Sequence, residues 1–232
     1  MKTQVIVSLL STLSLALAAD TENGNGNLTI AFFPDSQGEA CDANDISKAI
    51  TLTTDTVPNV FTCFNISDLF GGNSSSGFQN ATSRIYDSDG KVIQPNGVAW
   101  QLSNMDQYDD KANYSRTWYD QRNITDAKEG GDASWVFYVY AFPNCEQLGP
   151  TEAEPEENPW FETSCQTGND GQCRTTPRQI RSFGINQAVN YNVGHGGCET
   201  WAMLGDASVA VPGLGKVLMG VAGVVTAWFV TL

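Results

Sequence analysis

The chain reads as a mainly β, disulfide-bonded antiparallel sandwich or barrel-like domain with little helix. Three observations lead there. Short runs rich in β-branched and aromatic residues recur between stretches of Gly, Asn, Asp and Pro, the rhythm of strands and turns in all-β domains. Six cysteines, an even number, stand in a chain that carries the marks of secretion, so three disulfides are expected; no C-x-x-C pair points to a metal instead. Apolar residues at helical spacing are nearly missing.

Taken in order, the expected strands are LTIAFF (28–33), AITLTT (49–54), NVFTCF (59–64), GVAWQL (97–102), SRTWYD (115–120), SWVFYVYAF (134–142), RQIRSFGI (178–185) and CETWAML (198–204). SWVFYVYAF carries the clearest signal. Trp135, Phe137, Val139 and Ala141 face one way and Val136, Tyr138, Tyr140 and Phe142 the other, so it should be a central strand covered on both faces. RIYDSDGKVI (84–93) reads as a hairpin turning at DSDG (87–90), and GGNSSSGF (71–78) as an exposed loop by its composition. Two turns of helix capped by Asp42 are expected over 42–50. The charged, proline-punctuated run TEAEPEENP (151–159) is a loop, and the one place where a single domain would part into lobes 19–150 and 160–206.

Both ends carry processing signals. One Lys in the first four residues, an apolar run over 5–17 and the small-residue motif Ala16-Leu17-Ala18 make 1–18 a secretory signal peptide. The last sixteen residues, 217–232, hold no charge. At 1.5 Å per residue they cover about 24 Å, short of a hydrocarbon core of roughly 30 Å, and no Lys or Arg follows them. Small residues just upstream, then a spacer, then this apolar end match a glycosylphosphatidylinositol (GPI) attachment signal. Asp206 is the expected attachment residue, with Gly205 and Ser208 as alternatives; 207–232 would be removed, leaving a mature chain of 188 residues, 19–206. Losing Lys2 and Lys216 while keeping every acidic residue takes the net charge from -14 to -16. Such a chain repels nucleic acid, which is excluded as a partner.

Six N-x-[ST] sequons, at Asn27, Asn65, Asn73, Asn80, Asn113 and Asn123, predict N-glycans coating one broad face of the N-terminal half and leaving the surface after Thr125 barer. For the cysteines, SCQTGNDGQCR (164–174) suggests a hairpin turning at Asn169-Asp170-Gly171, which would pair Cys165 with Cys173. Cys41 would then close a short loop with Cys63, and Cys145 would join Cys198. The main rival set pairs Cys145 with Cys165 and Cys173 with Cys198.

Catalytic constellations are scarce. The single histidine, His195, sits between glycines in NVGHGGC and is read as an exposed turn residue; no nucleophile elbow, P-loop or zincin motif occurs. DSDG imitates the opening of a calcium loop without its later ligands, and MDQYDD (105–110) reads as a solvated acidic loop. No catalytic residue, metal or cofactor is expected.

The leader, sequons, sparse cysteines and GPI-like tail together resemble those of fungal cell-surface glycoproteins. IRSFGIN (180–186) followed by GGCETW (196–201) is similar to strand-turn-cysteine pieces of small secreted fungal proteins, some of them crystallin-like. FFPDSQG (32–38) departs from a crystallin Greek key at Ser36, so the resemblance implies a setting and no site residue. It implies a non-catalytic glycoprotein tethered to the outer membrane leaflet by its lipid, structural, adhesive or binding wall glycans. Trp118, Tyr119, Trp160 and Phe161 are candidates for stacking on sugars, against a competing place in the core. The alternative function is a glycan-active hydrolase using an Asp/Glu carboxylate pair, separated by about 5 to 10 Å in an aromatic-lined cleft.

Overall fold

The computed structural model describes residues 26–37, 41, 45–93, 95–146 and 160–202. The expected signal peptide, Asp42 as a cap, the loop 151–159 and the tail with Gly205, Asp206 and Ser208 lie outside these residues.

Eleven strands and two short helices follow in order: β1 (Leu28–Pro34), β2 (Ile50–Thr54), β3 (Thr62–Asn65), α1 (Ile66–Phe70), β4 (Ser76–Asn80), β5 (Gly97–Ser103), β6 (Tyr114–Gln121), β7 (Asp132–Tyr140), β8 (Phe161–Cys165), β9 (Gln172–Thr175), β10 (Ser182–Gln187), α2 (Val189–His195) and β11 (Thr200–Ala202). They form a six-stranded sheet, β4-β5-β2-β1-β6-β9, and a five-stranded sheet, β11-β8-β7-β10-β3, with every pairing antiparallel. The sheets stack as a sandwich and do not close into a barrel. Strands before and after residues 151–159 contribute to both sheets, so the described residues of the two expected lobes share one core.

Alternation builds that core. Leu28, Ile30 and Phe32 of β1 point inward beside Tyr119 of the neighbouring β6 and meet Phe137, Val139, Phe161, Phe183 and Ile185 from the facing sheet. Phe183 stacks on Phe64 with ring centroids 4.9 Å apart and lies tilted against Phe32 at 5.2 Å. Each such side chain contributes about 1.5–3 kcal/mol by leaving water. The odd positions of β1 do not face solvent either. Ala31 and Phe33 join Ala49 and Trp118 in a second cluster beneath Cys41 and Ile46, and these two form the cover on the outer face of the six-stranded sheet, called the cover segment below. β7 is buried on both faces as its sequence requires, with α2 contacting it from outside.

Several elements differ from expectation. The Gly/Ser stretch placed in a loop contains β4, which pairs with β5 throughout although every one of its residues is exposed. The helix expected over 42–50 is, among the described residues, a single 3-10 turn, Ile46–Lys48, capped by Asp45. α1 and α2 had no counterpart in the expected elements; at five and seven residues they are too short to print a 3.6-residue pattern.

The cysteine pairing is also corrected. The bonds are Cys41–Cys173, Cys63–Cys145 and Cys165–Cys198, with Cα separations of 5.8, 6.0 and 5.0 Å. Cys165 ends β8 in one sheet and Cys173 lies in β9 of the other, because the chain between them crosses the sandwich and does not fold back. The turn at Asp170-Gly171 is real, but it wraps Trp118, whose Nε1 donates to the Asp170 carbonyl. Cys41 lies over the outer face of the six-stranded sheet and Cys63 in the five-stranded one, so the core separates them. Cys198 is held at Cys165, opposite the first residue of β7, while Cys145 follows its last; nine residues of strand keep them roughly 25 Å apart. The same placements exclude the rival pairs, Cys145 with Cys165 and Cys173 with Cys198.

Candidate functional site

The unequal sheets create a site at one edge of the sandwich. β4 ends the six-stranded sheet and β3 the five-stranded one at the same edge, where Thr82, just after β4, donates to the carbonyl of Phe61, just before β3, and α1 follows β3 directly. Between them lies a cavity of about 470 Å³, within the size range of small-molecule sites. Phe64, Leu69 and Trp100 form its apolar part; Asn65, Gln79, Thr82 and Asn144 bring amides and a hydroxyl. Trp100 is half-buried and lies against Gly77 on the neighbouring strand, where a Cβ would stand 2.5 Å from the indole. Only glycine lets the ring lie flat there and turn its other surface to the cavity.

Asn65 is the most heavily engaged side chain in the lining. Its Nδ2 donates to Asp68 Oδ2 and to Asn144 Oδ1, both at 2.9 Å, while its Oδ1 accepts from the Asn144 backbone N–H at 2.6 Å. The Cys63–Cys145 bridge holds the two ends of this arrangement together by tying β3 to the turn that carries Asn144. Among the described residues of the lining, Asp68 is the one carboxylate and the others are neutral.

The expected sites fall in several places. Register puts Asn27, Asn80 and Asn123 at one end of the sandwich, since Leu28 pairs with Gln121, Asn80 with Gly97, and Asn123 bonds to Asp132 and Ser134 at the start of β7. Asn65 and Asn113 sit at the other end, beside Ser182 and Asp35, and Asn73 lies between α1 and β4 at the rim of the cavity. The six asparagines therefore gather at the strand ends and the open edge, in place of the single broad face expected. Asn27, Asn73, Asn80 and Asn113 are exposed; Asn65 and Asn123 are half-buried.

Trp118, Tyr119, Trp160 and Phe161, the candidates for sugar stacking, are all buried, at 8 %, 0 %, 6 % and 2 % exposure. They belong to the core, because the cover segment and β9 close over strands that the sequence leaves open. DSDG is a side-chain-stabilised turn in which Asp87 Oδ1 accepts from the backbone N–H of Asp89 and Lys91. Met105–Gln107 forms a 3-10 turn, and among the described residues no three His, Cys, Asp or Glu side chains gather closely enough for a metal. His195 ends α2, where its ring stacks on Tyr191 and its Nε2 stands 3.9 Å from Glu199.

A second aromatic group covers the outer face of the five-stranded sheet. Phe61 packs edge-on against Tyr138 and Tyr140 over the bare backbone of Gly184. Burial, with the Glu162 charge beside them, pushes both tyrosine hydroxyls well above the usual phenol range. Tyr191 donates to Glu162 Oε1 at 2.6 Å and is raised by burial and by that carboxylate. These groups satisfy one another and leave little of their surface to a ligand.

Sequence reasoning named Asn65 and Asn73 as sequons and placed Trp100 in a strand; it missed their meeting, which depends on β3 and β4 ending their sheets at the same edge. No family model matches this chain, and neither a curated protein nor a solved structure matches it.

Proposed function

We propose that this chain is a non-catalytic, N-glycosylated glycoprotein of the cell surface or wall, of the fungal type its sequence resembles, tethered to the outer membrane leaflet through a GPI lipid at Asp206. Its edge cavity holds a saccharide. The observation that carries this reading is the chemistry of the lining: one indole face, several neutral amide and hydroxyl groups, and a single carboxylate. That combination suits a polyhydroxylated neutral ligand, whose C–H face packs on Trp100 and whose hydroxyls exchange hydrogen bonds with Gln79, Thr82 and Asn144. Glycoside hydrolysis takes two carboxyl groups flanking the scissile bond, and Asp68 stands in the cavity without a second. The uncharged C-terminal run and the leader support the address.

A wall-polysaccharide and oligosaccharide binding assay, run beside a hydrolysis assay on the same sugars, tests the site. It uses both the glycosylated protein and the protein stripped of N-glycans. Binding without turnover, lost in Trp100→Ala, is the expected result; turnover would sink the reading. For the anchor, a phospholipase specific for phosphatidylinositol should release the protein from membranes, and Val225→Asp should send it to the medium or hold it in the secretory pathway. Detection of Leu232 in the mature product would refute GPI processing.

A further inference from the structure

We propose that the saccharide occupying the edge cavity in the mature protein is the first sugar of the chain's own N-glycan, attached at Asn65. This rests on the reading of the cavity as a sugar site and names its occupant.

The geometry of one nitrogen carries it. An N-glycan replaces one hydrogen of the asparagine Nδ2 with the anomeric carbon of an N-acetylhexosamine. At Asn65 both of those hydrogens are aimed at residues of the cavity lining, one at Asp68 Oδ2 and the other at Asn144 Oδ1, each 2.9 Å away. Whichever is replaced, the sugar begins against the cavity wall. Asp68 and Asn144 are exposed and can swing aside, and the remaining N–H keeps one of the two acceptors. The side chain itself does not rotate outward easily, because its Oδ1 is fixed by the backbone N–H of Asn144, which the Cys63–Cys145 bridge holds in place.

The other sequons lack this combination. Asn27, Asn73 and Asn80 are exposed, and a sugar on them starts in solvent. Asn113 is exposed and bonds to Asp35, and Asn123 faces the Asp132 carbonyl, neither in a cavity lining. Asn73 lies on the rim of the same cavity, so its glycan is the competing occupant. Asn65 is favoured because its amide nitrogen already points at the wall.

The attached sugar also answers a problem of the fold. β4 is exposed throughout, and Trp100 on the neighbouring β5 is only half-buried, with Gly77 against its indole. A tethered ligand occupies such a site at high effective concentration, so that only weak intrinsic affinity is needed. The glycan would thus act as a missing piece of the core at the open edge.

The test uses the full-length glycoprotein and its glycopeptide map. Native protein is treated with a peptide-N-glycosidase, and release is followed site by site. Asn65 should be released about tenfold more slowly than Asn73 and Asn80, as expected when the reactive linkage is exposed roughly a tenth of the time, and all sites should be released equally after denaturation. Ser67→Ala removes the Asn65 sequon while leaving its side chain in place; it should lower the Tm, whereas Ser75→Ala, which removes the Asn73 sequon, should not. Trp100→Ala should bring Asn65 release up to the Asn73 rate, and Gln79→Ala serves if that variant fails to fold. Equal native release rates, or an unoccupied Asn65, would overturn the proposal, and slow release at Asn73 alone would transfer the cavity to that glycan. A separate arm adds the disaccharide of N-acetylglucosamine to Ser67→Ala protein and follows tryptophan fluorescence. Binding there, with a freely released Asn65 glycan, would leave the cavity a sugar site and defeat only the choice of occupant. Absence of binding together with free release would defeat both.

Discussion

The two edges of the sandwich are finished in opposite ways. At the edge formed by β9, β8 and β11, side chains and cross-links fill the gap between the sheets. Cys165–Cys198 staples β8 to the segment entering β11, Cys41–Cys173 ties the edge strand to the cover segment, and Arg174 turns inward with its guanidinium 5.4 Å from the Phe161 ring. At the edge formed by β4, β5 and β3, one sheet has a strand more than its partner. α1 fills part of the opening with Leu69 and Phe70, and the rest is the cavity. Closure at one edge rests on two disulfides and buried rings, while the other, although Cys63–Cys145 ties β3 to the turn at Asn144, leaves a hydrophobic side chain half covered beside polar groups. A ligand site arises where the layers do not match, and the difference is measurable.

The largest contrast should come from the closed edge. Replacing Cys41 and Cys173 together by Ser should cost about 5 kcal/mol in urea unfolding, because the bond spans 132 residues, against about 4 kcal/mol for Cys165 with Cys198, which span 33. Peptide mapping without reduction should return three joined pairs, and a peptide linking Cys165 to Cys173 would contradict the crossing of the chain between sheets.

Next, Phe161→Ala should cost about 3–5 kcal/mol, since its ring is buried against Tyr119, Phe137 and Arg174, while Trp100→Ala at the open edge should cost about half as much. Equal losses would mean the two edges are packed alike. Gly184→Ala, in the strand beside β3, brings a Cβ to 2.3 Å from the Phe61 ring; expelling that ring should cost about 1–2 kcal/mol, much of it absent when Phe61 is already Ala.

High pH provides a milder probe. Burial raises the Tyr119 hydroxyl above its ordinary value near 10, so in the folded state it stays protonated after the unfolded chain has ionised. The stability this group contributes is therefore complete below pH 10 and is lost as pH rises above it, at about 1.4 kcal/mol per pH unit for a fully shielded tyrosine. Tyr138 and Tyr140 act in the same direction. Tyr119→Phe should flatten the alkaline limb of the Tm curve, and an unchanged limb would place the titrating groups elsewhere. The smallest effect belongs to β4. Phe78 is 42 % exposed, and Phe78→Ser should change stability by no more than about 0.5 kcal/mol.

Much of this architecture was legible from residue order. SWVFYVYAF reads as a strand buried on both sides and is one, because alternation of apolar residues on two faces has few other uses. LTIAFF, AITLTT, GVAWQL and SRTWYD fall within a residue or two of β1, β2, β5 and β6. β4 escaped because SGFQN owes its strand to hydrogen bonds with β5 and has no burial pattern of its own. β8 and β9 escaped for a related reason: FETSC and QCRT each belong to a different sheet, and the turn chemistry between them suggested a hairpin. Of the candidate site, the sequence named Asn65 and Asn73 by their sequons, while Gln79, Thr82 and Asn144 carry no local signal at all.

Residue order alone thus determined the strand content, the antiparallel β class, the scarcity of helix, and the presence of enough cysteines for three bridges, since each follows from local periodicity, turn chemistry or a count. Tertiary structure decided which cysteines meet, which aromatic rings are core, and where a cavity opens. Those outcomes depend on which sheet a strand joins and on how many strands each sheet holds. Such choices are made by contacts between residues as far apart as Cys41 and Cys173, and no short stretch of sequence records them.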